Sequence, residues 1–357
     1  MRFFNLNTPL RTWRFTALVA MVALVGCKPD DEREGPPDSD TDDFVPMEVA
    51  GLDWYLHTEF QSLVYVIWEQ NKAGEANIEF SFDEGEWRSS PPIEAQEGMS
   101  TQLLVGIPYG TSAEWRVVVE GADPVDGQTI TTNALPTSLP QPTIVTGDDT
   151  AWLTEGKYLL TSINQNEGGW TEGTYWTLIF DRQARVVWAR TAPQQNWTLY
   201  AQVSVSKDHL LWDDATAWSQ WDHGAASKIH RTYLDAEINS VAAPGLHHAF
   251  LELPDGTLAW GSRLHNQGET LVELAPGATE ETILWVCETW YCESNCLYYQ
   301  ESTNTYLYSF YTSSSLLEID RTTGDTLWWA GGKTEEGGYT FEPEDSKFYW
   351  QHGTTYT

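Results

Sequence analysis

The chain has 357 residues, enough for two or three domains with a sizeable core. It carries 19 basic against 52 acidic side chains, a formal charge of −33, and a surface that acidic repels phosphate backbones and anionic lipid. Nucleic acid is therefore a poor partner class, while 19 Trp among 13% aromatic residues call for a fold that uses large flat side chains.

The first element is a targeting segment over residues 1–26. Arg2, Arg11 and Arg14 precede the apolar run "FTALVAMVALVG", which falls short of the roughly 20 residues that a spanning helix needs and fits a secretory leader. The run ends in "LVGC", which resembles the bacterial lipoprotein processing box and implies that Cys27 becomes a lipidated first residue. Residues 27–46, including "KPDDEREGPPDSDTDDF", hold too few apolar side chains to fold and read as an acidic disordered tether. The expected product is exported and lipid-anchored to the bacterial envelope, in the periplasm or at the cell surface.

Residues 47–135 read as all-β. "SLVYVIWEQ", "ANIEFSFDE", "TQLLVGIPY" and "AEWRVVVEG" are short strands separated by Gly, Asp, Pro and Ser clusters. Their number and spacing predict an immunoglobulin- or fibronectin-like sandwich without the paired cysteines of antibody domains. "NALPTSLPQPTIVTGDD" then marks a boundary near 135–148.

From 149 to 357 a unit recurs: strand, polar turn, then a strand usually ending in Trp. Examples are "IFDRQARVVWA", "VELAPGATEETILWV" and "EIDRTTGDTLWWAGG", with "HHAFLELPDGTLAWGS" between them. The repeat of roughly 45 to 50 residues is that of a four-stranded propeller blade, and no helical periodicity competes with it. About four blades fit, where a closed ring more often has about six, so the sequence predicts an incomplete, C-terminally truncated propeller. "KFYWQHGTTYT", residues 347–357, reads as the middle of a strand.

Beyond Cys27 the only thiols are Cys287, Cys292 and Cys296, in "VCETWYCESNC". In an exported chain they predict a local disulfide with one thiol left over, or paired with a partner beyond the chain end, and their spacing fits no usual zinc pattern.

Three stretches together resemble the bacterial arylsulfate sulfotransferase family: "HHAFLELPDGTLAW", "LLEIDRTTGDTLWWAGGK" and "WQHG", in the family's order. The resemblance covers roughly 150–357, and the preceding β-domain fits it. It implies an exported propeller that moves a sulfuryl group from a phenolic sulfate ester to another phenol, without a nucleotide donor, cofactor or metal. It also implies that His352 is the transiently sulfurylated nucleophile, a role suited to imidazole, with His247 and His248 holding the sulfuryl oxygens. Adjacent strand residues face opposite sides, so only one of those two can point into a central channel.

The sequence departs from the family pattern at two places. Asn295 keeps the family asparagine, but Glu293 stands where the family has a histidine and Tyr311 where it has an arginine. Two cationic oxyanion donors are thereby lost, and Arg263, His265 and Lys333 are the candidates to replace them and bind substrate. These substitutions leave a second function open, a catalytically inactive surface propeller that binds a ligand or partner. An adhesion scaffold has no specific signal. The expected partners are a small aromatic sulfate ester, a phenol acceptor, the membrane through the lipid anchor, and a second copy of the chain. Of the other histidines, His57, His209, His223 and His230 read as structural or solvated, and Asp213 with Asp214 is a weak calcium signal.

Overall fold

The computed structural model describes residues 45–147, 158–166, 173–193, 196–216, 224–264, 268–288, 292–331 and 348–356, with the backbone alone at Phe3–Phe4 and at His247. The described residues are all-β with no α-helix, and none of their elements is a helix long and apolar enough to cross a membrane. Lipidation at Cys27 and tether residues 28–44 fall outside the described residues, as do His265, His223 and Lys333.

The N-terminal part is built from two antiparallel sheets. One has three strands, β2 (Val49–Leu56), β3 (Val64–Gln70) and β7 (Gly98–Leu104). The other is centred on β4 (Gly74–Phe82) and β8 (Ser112–Val119), with short β5 (Arg88–Ser89), β6 (Ile93–Ala95), β9 (Val125–Asp126) and β10 (Ile130–Thr131) at its margins. Alternation drives the packing. Val64, Val66 and Trp68 point inward from β3, and Ala76, Ile78 and Phe80 with Trp115, Val117 and Val119 point inward from β4 and β8, forming one buried core between the sheets. The indole N–H of Trp115 donates to the Gln128 carbonyl at 2.6 Å, so the large ring is buried without an orphaned donor.

Four further sheets follow, each an antiparallel meander in chain order. The first contains β11 (Tyr158–Asn164), β12 (Tyr175–Asp181) and β13 (Val186–Thr191), with β1 (Phe3–Phe4) paired on the free side of β11. β1 lies inside the expected leader, and without it this sheet keeps three strands. The second runs β14 (Ala201–Val203), β15 (Leu210–Asp214), β16 (Lys228–Thr232) and β17 (Glu237–Ala242). The third runs β18 (Leu246–Glu252), β19 (Leu258–Ser262), β20 (Thr270–Leu274) and β21 (Thr282–Val286). The fourth runs β22 (Ser294–Gln300), β23 (Thr305–Phe310), β24 (Ser315–Asp320) and β25 (Thr326–Gly331). This strand order is that of propeller blades. Successive sheets share apolar clusters, the second and third through Leu211, Ile229, Leu246, Phe250 and Trp260, the third and fourth through Leu251, Leu271, Tyr308 and Phe310.

The sandwich is not a free appendage. Phe60 and Leu63 join Tyr158, Ile179, Val187, Trp188 and Leu210 in one buried cluster, and the Ser62 hydroxyl donates to the Val187 carbonyl at 2.7 Å. Tyr65 reaches the second sheet, donating to Asp235 at 2.6 Å.

One sequence expectation is corrected, and the weak calcium signal has a structural account. Residues 348–356 form no strand, because Trp350 (φ 51°) and Gly353 (φ 69°) take left-handed backbone that a ladder cannot accommodate. Asp213 and Asp214 do not act together as calcium ligands, since neighbouring strand residues face opposite sides. Asp213 instead accepts the Leu199 and Tyr200 amides, both at 2.8 Å, while Asp214 lies 3.4 Å from His230 Nε2.

Candidate functional site

In the third and fourth sheets β18 and β22 are the first strands, and they lie side by side. Antiparallel pairing puts their starts at the same end as the last residues of β19 and β23. Both first strands lose register there. Leu246 pairs with Ser262 and Phe250 with Trp260, so His247, His248 and Ala249 bulge opposite Gly261. Ser294 pairs with Phe310 and Cys296 with Ser309, which leaves Asn295 as the extra residue. Bulges re-aim side chains at sheet ends, and here they fall on the histidine pair and asparagine singled out by sequence.

Residues 348–356 lie against this same end and run parallel to β22. Asn295 Nδ2 donates to the Gln351 carbonyl at 2.5 Å, the Cys296 thiol to the Thr354 carbonyl at 3.3 Å, and Tyr298 meets Tyr356 with ring centroids 6.0 Å apart. The Gln351 amide is the anchor, donating to Phe310 O at 3.0 Å and Ser315 O at 2.9 Å. Such a segment needs no ladder because side chains satisfy its path.

His352 is exposed, with its ring 5.5 Å from that of Tyr311. Its Nδ1 lies 2.9 Å from the Trp350 carbonyl. A carbonyl only accepts, so Nδ1 carries the hydrogen and the lone pair of the neutral ring stands on Nε2. Tyr311, Tyr349 and Trp350 form an exposed aromatic margin, 39%, 67% and 66% accessible.

The structure thus brings His352, Tyr311, Glu293, Asn295 and Arg263 to one end of two neighbouring sheets. The Tyr311 amide donates to the Glu293 carbonyl at 2.8 Å, and the Glu293 carboxylate takes the Arg263 guanidinium at 2.8 Å. Arg263 is therefore engaged by the residue it was expected to offset. Asn295 likewise commits its amide N–H to Gln351, leaving Oδ1 buried with no hydrogen-bond partner, as is Gln351 Oε1. Both oxygens are enclosed by protein, so neither meets a ligand as the side chains stand. Turning either amide over would face oxygen to carbonyl oxygen, so the assignment stands on the contacts themselves.

Sequence reasoning missed a buried carboxyl beneath the site. Glu269, 1% accessible, accepts the Ser294 amide at 2.7 Å, the Ser294 hydroxyl, and the Tyr308 hydroxyl at 2.6 Å. Burial pushes its carboxyl up to about 7, against the pull of those donors. Burial, with Glu269 beside it, also raises Tyr308 well above the usual phenol range. Gly261 makes the room, since a Cβ there would collide with Tyr308, Glu269 and Ser294 together. A lone Glu ahead of an apolar strand gave no signal of this.

Cys287 and Cys292 form the disulfide, with Cys296 as the remaining thiol. Among the described residues no group of three or more His, Cys, Asp or Glu converges on a metal position. His209 sits between Asp208 (2.7 Å) and Glu252 (2.9 Å), and His230 stacks on Trp212 at 3.9 Å, both in or beside the second sheet.

Comparison with family models and with curated proteins returns no match. Among solved structures, a Bacteroides caccae protein of unknown function is 16% identical, with a TM-score of 0.33 over 48% of this chain and 56% of that one. TolB from Acinetobacter baumannii is 11% identical, with a TM-score of 0.36 over 65% of this chain and 56% of its own. The periplasmic gluconolactonase PpgL of Pseudomonas aeruginosa is 11% identical, with a TM-score of 0.32 over 77% of this chain and 82% of its own. The chain thus spans little more than half the length of the first two. Likenesses this distant carry no argument about activity.

Proposed function

We propose that this is an exported, lipid-anchored enzyme of the arylsulfate sulfotransferase type, with His352 as its nucleophile. The observation that carries the reading is the exposed imidazole held by the Trp350 carbonyl in the tautomer that leaves Nε2 free. In the first step the Nε2 lone pair forms a bond to sulfur as the aryl oxygen–sulfur bond breaks, and the phenolate leaves and takes a proton from water. In the second, the oxygen of an acceptor phenol bonds to sulfur as the N–S bond breaks, and its proton passes to solvent. An aryl ring would rest on the margin formed by Tyr311 and Trp350. We read the four sheets as blades of a roughly six-bladed propeller and the N-terminal pair of sheets as an immunoglobulin- or fibronectin-like domain.

A second reading, a surface propeller that binds without transferring, is favoured by the Arg263–Glu293 pair, in which an acid engages the described cation at this end of the sheets. The two are separated by incubating the protein with 4-nitrophenyl sulfate and phenol. Nitrophenol release that His352→Ala abolishes supports transfer. No release from folded protein removes the enzyme and leaves the binder.

A further inference from the structure

Glu269 is connected to the candidate nucleophile by an unbroken run of contacts. Its carboxyl holds both the amide and the hydroxyl of Ser294, the residue at which β22 begins and immediately before the bulge. The bulged residue, Asn295, ties down the Gln351 carbonyl at 2.5 Å, and Gln351 is the neighbour of His352. Tyr308, on the paired strand β23, fixes the carboxyl from the other side. An acidic side chain with almost no solvent contact is costly unless its bonds are needed. Three donors on one carboxyl stiffen the one place where β22 leaves its ladder.

We propose that Glu269 is a positioning residue that sets the β22 bulge and, through Asn295 and Gln351, the place of the His352 imidazole. This rests on the functional reading of His352 but not on the chemistry assigned to it. Glu269 touches no ligand position itself. It acts through Ser294, and Gly261 is the space that allows it to do so.

The test uses the full chain labelled with [13Cε1]histidine, in which His352→Ala assigns the His352 signal and His57, in the sandwich, serves as control. Glu269→Ala is expected to move the His352 signal and leave that of His57 in place. It should also lower kcat for 4-nitrophenyl sulfate by about a hundredfold, the cost of a displacement near 1 Å, with KM changed less than twofold. Glu269→Gln, which keeps the side-chain shape and an acceptor, should restore most of both. Ser294→Ala removes one of the three bonds with less harm to folding and should shift the same signal in the same direction. An unmoved His352 signal and unchanged kcat in folded Glu269→Ala and Ser294→Ala proteins would overturn the proposal. A moved signal in a protein with no sulfuryl transfer would uphold the positioning role and sink the sulfotransferase reading instead.

Discussion

The Glu293 carboxylate meets the Arg263 guanidinium at 2.8 Å across the ends of the third and fourth sheets, and the Tyr311 amide binds the Glu293 carbonyl from the other side. An acid thus holds the described cation that this run of contacts links to the margin of His352. Glu293→Gln should release Arg263 toward an anionic substrate. The expected result is a roughly tenfold gain in kcat/KM for 4-nitrophenyl sulfate, part of the about hundredfold that one well-placed oxyanion donor contributes. Steady-state kinetics of the variant beside the wild type checks it.

Stability should fall as pH rises through neutrality. Burial holds the Asp213 carboxyl up to about 8 and that of Glu269 up to about 7, whereas both ionise near their ordinary values once unfolded. Between those limits the folded state binds more protons, so each group takes away about 1.4 kcal/mol per pH unit at most over that window. Denaturant midpoints measured from pH 4 to 9 should decline, and Glu269→Gln should flatten the lower part of the slope. A midpoint that rises from pH 5 to 8 would contradict this.

Gly261→Ala should destabilise by about 1–3 kcal/mol, the range for overfilling a packed site. The added methyl meets the Tyr308 hydroxyl, a Glu269 carboxylate oxygen and the Ser294 hydroxyl at once, and these buried groups are bonded to one another. Chemical denaturation reads the loss, and Gly277→Ala, where a Cβ meets nothing within 4 Å, shows by contrast what backbone strain alone costs.

Reducing the Cys287–Cys292 disulfide opens a loop with a sequence separation of only 5 residues. Chain entropy assigns such a closure about 2 kcal/mol, small because the loop is short. Thermal unfolding with and without reductant should differ by that amount, and one thiol, Cys296, should be the alkylatable residue of this loop before reduction.

Much of the fold was legible because one rule governs it. β4 and most of β8 alternate apolar and polar residues, and turns such as "PDG" and "TTG" place Gly256 (φ 82°) and Gly324 (φ 76°) where left-handed backbone is required. The segment around His352 misled for the same reason. Phe348, Tyr349 and Trp350 have strong strand preference, yet Gln351 and Asn295 satisfy the chain by side-chain bonds and its backbone turns away from a ladder. Nothing local could reveal Glu269, since an acid before an apolar strand looks like a solvated turn until the neighbouring sheet is laid over it. Asp213 and Asp214 could have been separated by strand parity alone.

Phe60 and Leu63 lie in the same buried cluster as Val187 and Trp188, although a proline-rich link separates them in sequence. The visible boundary near residue 140 is thus a break in composition but not a seam in the energy. Calorimetry should register a single heat-absorption peak spanning both parts, and either half expressed by itself would carry a bare greasy face and tend to precipitate.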